Sequence, residues 1–146
     1  MRYFEDSQKG LVFSVLENGE DLLESIRAVA RQADIHTGVL ISGIGSFQKG
    51  RIHTVATNDL PPRELFIDLP GPLEVSNYNG IIANYEPHVH VTFMDREGKV
   101  YGGHLEPGSE VLTLAEFTIL RAPAIRLARR KGPGQLFSML GPEQEP

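Results

Sequence analysis

Two hydrophobic periods run along this chain. Leu22, Leu23, Ile26, Val29, Ala30 and Ala33 recur at three- and four-residue steps, and that spacing predicts a helix over 20–33. Glu20 and Asp21 at its start and Arg27 and Arg31 further on suit the helix dipole. Elsewhere, residues 10–16, 37–44, 51–57, 63–69, 73–83, 88–94, 99–105 and 111–120 are rich in β-branched and aromatic side chains and are divided by Gly, Pro or Asn. Short connections favour antiparallel neighbours. The pattern predicts an α+β fold, a mainly antiparallel sheet of seven or eight strands with one main packed helix. The length of 146 residues fits one domain, expected over 1–141, with 142–146 as a flexible tail.

Composition narrows the chemistry. There is no cysteine, which leaves His, Asp and Glu as the ligands of any transition metal. No apolar run approaches the ~20 residues needed to span a bilayer, and the first residues lack a signal-peptide layout. A cytoplasmic protein without membrane contact is expected. The net charge of −5 argues against nucleic-acid binding by the whole surface, since phosphate affinity comes from Lys and Arg.

The histidines change the picture most. Asp95-Arg96-Glu97-Gly98 suits a hairpin loop with Gly98 at positive φ. Setting Asp95 opposite Lys99 places Val89 against Leu105, Val91 against Gly103 and Phe93 against Tyr101, an almost wholly apolar face. The other face then sets His90 against His104 and His88 against Glu106. Directly opposed Cβ atoms lie about 4.5–5.5 Å apart, so His88, His90 and His104 converge as a candidate metal site. Three imidazoles and no thiolate suit Zn²⁺ best, with another divalent transition metal possible. Glu106 or Glu116 is a candidate fourth ligand or general base. His36 and His53 stand outside this group and read as surface or hydrogen-bonded histidines.

Two further segments invite function. Gly43-Ile44-Gly45 has neither the phosphate-loop pattern nor a following helix, and reads as a bulge or tight bend that lets another part of the chain approach. Arg126, Arg129, Arg130 and Lys131 concentrate positive charge, as a nucleic-acid or anion contact or as a solvated strand end.

Pro87-His88-Val89-His90-Val91, then Gly98, then Gly102-Gly103-His104-Leu105, resembles the plant and prokaryote conserved (PPC) domain family. Ser42-Gly43-Ile44-Gly45-Ser46-Phe47 matches its layout as well. The resemblance implies an antiparallel sheet with a packed helix, a homotrimer, and a metal, usually taken as zinc, on His88, His90 and His104. In plants the domain follows an AT-hook in nuclear DNA-binding regulators, and single-domain prokaryotic members carry a DNA-binding label by association. This chain has no Arg-Gly-Arg-Pro core; Arg130-Lys131-Gly132-Pro133 is a faint echo.

These observations point to a metal-binding homotrimer acting as a regulatory or ligand-binding module. Its expected partners are its own copies, DNA or a protein, and a small molecule at the metal. The alternative is a metal-dependent hydrolase or lyase with an open coordination position.

Overall fold

The helix forms where its apolar spacing predicts. In the computed structural model, which describes residues 1–143, helix α1 spans Leu22–Gln32. Asp21 caps it by accepting a hydrogen bond from the Glu24 backbone N–H at 3.0 Å. Leu22, Leu23, Ile26, Val29 and Ala30 are buried against strands of the sheet. On its outer side Arg27 and Arg31 grip Glu86 at 2.8 and 2.6 Å, which ties the helix to the start of the strand that carries His88 and His90.

The strands are β1 (Arg2–Asp6), β2 (Leu11–Glu17), β3 (Thr37–Val55), β4 (Glu64–Ala83), β5 (Glu86–Asp95), β6 (Val100–Leu105), β7 (Glu110–Arg121), β8 (Leu127–Arg130) and β9 (Met139–Pro142). Seven of them form one antiparallel sheet in the order β1-β2-β7-β3-β4-β5-β6, and β8 pairs with β9 separately. A further contact decides the architecture. The free edge of β6 returns to β3 through Ile52 opposite Leu105 and His53 opposite His104. One end of the sheet is therefore closed, with β3, β4, β5 and β6 wrapped around Phe47, Ile52, Val75, Phe93 and Leu105.

Closure needs long, bent strands, and here the chain departs from the sequence expectation. Segments 37–44 and 51–57 are one continuous strand, as are 63–69 and 73–83. A register shift between Phe47 and Lys49 of β3, opposite Pro70–Leu73 of β4, takes up the bend without ending the pairing. Gly43 has a packing reason: a Cβ there would lie 2.2 Å from the Tyr78 ring, which is fully buried across β3. The Tyr78 hydroxyl donates to the Glu116 carbonyl at 2.7 Å, and burial pushes its pKa well above the ordinary phenol value.

Strand β1 was not predicted; it is a short edge strand, mostly exposed, with no clean alternation. Only the start of the expected flexible tail falls among the described residues. Pro142 ends β9, and Glu143 accepts from the Arg126 guanidinium at 2.8 Å, while residues 144–146 lie outside the described residues.

Candidate metal centre

The β5–β6 hairpin adopts the register that its turn and apolar face dictate. Asp95 N–H donates to the Lys99 carbonyl at 3.0 Å, Gly98 N–H to the Asp95 carbonyl at 3.0 Å, and Gly98 has φ 79°. Val91 faces Gly103, Phe93 faces Tyr101 and His90 faces His104. Val89, Val91, Phe93 and Leu105 are buried, so the opposite face carries His88, His90 and His104 outward. Their ring centroids lie 5.5 Å (His88–His90), 4.6 Å (His88–His104) and 5.6 Å (His90–His104) apart.

A fourth histidine joins them, contrary to the expectation that His53 stands outside the group. His53 lies directly across β3 from His104, with ring centroids 4.4 Å apart and nearly parallel planes. Its Nδ1 is 2.6 Å from Glu106 Oε1. The same oxygen is 3.4 Å from His104 Nδ1. One atom of each of His53, His104 and Glu106 lies within 4.8 Å of the others, close enough to share an ion. Across β4, Asn79 opposes His90, so Asn79, His90, His104 and His53 form one row over four adjacent strands. The row depends on Gly103, where a Cβ would stand 2.6 Å from the His53 carbonyl and force β6 away from β3. A glycine that has no turn to make, in the middle of a strand, was the available signal for this contact.

Electrostatics keeps the cluster ready for a cation. Burial, then the positive charge of Arg129, then the neighbouring imidazoles hold His88 down to about 4. Burial and His53 lower His104 as well, against a partial upward pull from Glu106. Both rings are neutral at pH 7, which is the form that ligates a metal. His104 Nδ1 is buried with no properly directed hydrogen bond among the described residues, despite its 3.4 Å approach to Glu106. Neutral His88 and His104, the adjoining His90 and His53, a nearby carboxylate and an orphaned ring nitrogen fit a borderline divalent metal.

The remaining candidates separate. Glu106 is in the cluster, held by His53. Glu116 is not; it is exposed on β7 beside Phe13, Ser42 and Ile44, away from the histidines, because its strand pairs with the other half of β3. The basic residues do not form one patch. Arg126 is paired with Glu143, and Arg130 and Lys131 are exposed. Arg129 instead reaches the histidine face, lining a cleft of about 430 Å³ with Asn79, Ile81, His88 and His90. His36 is buried elsewhere, with Nδ1 3.0 Å from Thr37 Oγ1.

Known proteins share this arrangement of strands. Structures at a TM-score of 0.84 (a candidate DNA-binding protein of Bacteroides thetaiotaomicron, 18% identical, covering 98% of both chains) and 0.72 (a metal-containing protein of Archaeoglobus fulgidus, 23% identical, covering 95% of this chain and 98% of that one) have the same fold. A plant- and prokaryote-conserved (PPC) protein of Pyrococcus horikoshii superposes at 0.74, is 23% identical and covers 92% and 93% of the two chains. In sequence, a bifunctional protein GlmU of Synechococcus sp. (strain JA-2-3B'a(2-13)) is 30% identical over 115 residues, which are 79% of this chain but 17% of that protein. The chain thus spans less than a fifth of the length of that curated relative. The profile of the Plants and Prokaryotes Conserved (PCC) domain matches residues 3–123, and the chain belongs to that family.

Proposed function

We propose that this protein is a zinc-binding regulatory or ligand-binding module of the cytoplasm, working as a homotrimer. The row of imidazoles across β5, β6 and β3 carries this reading. His88, His90 and His104 would hold the metal, while Glu106 and His53, already bonded to one another, brace the His104 side. A divalent ion bound there would supply Lewis acidity and an exchangeable coordination position.

The surroundings favour binding over turnover. Asn79, Ile81 and Arg129 are the cleft's neighbours to the histidines, and none is a base at neutral pH. Glu106, the nearest carboxylate, is occupied by His53. The occurrence of a similar segment inside a larger GlmU protein supports a module that attaches to other activities. The trimer has physical support in Phe13, Ile41, Ile44, Leu114 and Leu120, apolar side chains left exposed on β2, β3 and β7. Three copies would also gather three exposed Arg130-Lys131 pairs, the remaining basis for contact with DNA. A labelled-duplex shift that survives physiological salt and disappears when both become Gln would support that contact.

The metal reading is tested by elemental analysis after dialysis against zinc. About one zinc per chain is expected, lost in His88→Ala and in His104→Ala but retained in His36→Ala. Absence of zinc from the unsubstituted protein, or its retention in both of the first two variants, would refute the assignment.

A further inference from the structure

An arginine keeps its charge when withdrawn from water, so a buried guanidinium calls for an anion. Arg2, Arg27, Arg31, Arg51, Arg121 and Arg126 each have a carboxylate within ion-pair distance. Among the described residues Arg63, Arg96, Arg129 and Arg130 have none. Arg63, Arg96 and Arg130 are exposed and hydrated. Arg129 is half-buried, and its Nε is closed to solvent with no hydrogen-bond partner among the described residues. An unmet buried donor of this kind is costly, and native chains keep few of them without a reason.

The position of Arg129 sets this unpaired charge beside a cleft. Strand β8 is fastened beside the start of β3, where the Leu127 N–H donates to Thr37 Oγ1 at 3.0 Å and Ala128 is buried. Arg129 is thereby held on the wall of the cleft of about 430 Å³, facing a space it shares with Val39, Asn79, Ile81, His88 and His90. That volume falls within the range of small-ligand sites, roughly 300–1,000 Å³. One wall is apolar, through Val39 and Ile81, and Asn79 adds an amide beside His90.

We propose that this cleft binds a small carboxylate with a short apolar body, its carboxylate on Arg129 and its second polar group toward the histidines. The planar guanidinium matches a carboxylate through two parallel N–H···O bonds. The apolar wall gives a hydrocarbon body a place that an inorganic anion would leave wet. With a net charge of −5 the chain as a whole repels anions, so retention depends on this local contact. The histidine end of the proposal rests on the metal reading above; the Arg129 end does not.

Isothermal titration with 2-hydroxybutyrate, on zinc-loaded and on metal-free protein, tests it. Saturable binding is expected, weakened about tenfold or more in Arg129→Gln, less in Arg129→Lys, and unchanged in Arg130→Gln. The neutral analogue 1,2-butanediol is expected not to bind. Equal binding of the diol, stronger binding of inorganic phosphate, or indifference to both Arg129 substitutions would overturn the carboxylate assignment. Arg129-dependent binding by a chain that takes up no zinc supports the carboxylate site and removes the metal reading. Full zinc loading without carboxylate binding does the reverse.

Discussion

The two ends of the sheet solve the same problem differently. At one end β1, β2, β7 and the first half of β3 form an open sheet that leaves Phe13, Ile44, Leu114 and Leu120 exposed, while helix α1 packs on β2 and β7 and reaches across to β5. At the other end β3, β4, β5 and β6 close on themselves, and these strands also expose Leu65, Phe66, Met94 and Val100. The open end is suited to being covered by another surface. The strands of the closed end are paired on both sides, which positions outward side chains well enough to act as ligands. The histidines sit where the strands close on themselves; Phe13, Leu114 and Leu120 lie exposed on β2 and β7, where the sheet stays open.

The largest disturbance of this contrast is expected from Gly103→Val. A Cβ would collide with the His53 carbonyl at 2.6 Å, opening the β3–β6 contact and costing about 3 kcal/mol in a denaturant midpoint shift. Gly102→Ala is the companion, since its nearest neighbour to an added Cβ is at 3.7 Å, and near-normal stability is expected. At the other end, Ile44→Glu is expected to lower the assembled mass in light scattering while leaving the melting temperature and zinc content of each chain close to unchanged.

Smaller effects probe the support of the site. His53→Ala and Glu106→Gln are expected to weaken zinc by about 10–100-fold in a chelator competition, without abolishing binding at saturation. Acid provides a graded test on metal-free protein. His88 titrates near 4 in the folded chain against an ordinary 6.5, so between those values the unfolded chain holds the extra proton. Stability should therefore fall as pH drops from about 6.5 toward about 4, then level off, with His104 adding in the same direction. A flatter profile in His88→Gln would be the check; an unchanged profile would count against the buried, neutral state of this ring.

The sequence exposes what is local and conceals what depends on distant pairing. The meeting of His88, His90 and His104 follows from a five-residue turn and one apolar face, both readable from residues 88–105. His53 belongs to the same row, yet the strand that brings it there is joined to β6 only through closure of the sheet. Nothing around His53 specifies that partner; only Gly103 marks the close approach. The single helix was legible because its burial is one continuous stripe. The breaks expected in β3 and β4 were not breaks, since Gly and Pro bend a strand whose neighbours still pair with it. Arg129 and Arg130 look alike in sequence, and only the anchoring of β8 separates the withdrawn side chain from the exposed one.

Zinc K-edge absorption spectroscopy of the loaded protein tests the central claim most directly, because it counts imidazoles around the ion. A first shell of nitrogen and oxygen with outer-shell scattering from about three imidazoles is predicted, falling by one in His90→Ala. A shell dominated by oxygen, or one unaltered by that substitution, would contradict the assignment of His88, His90 and His104 as the metal site.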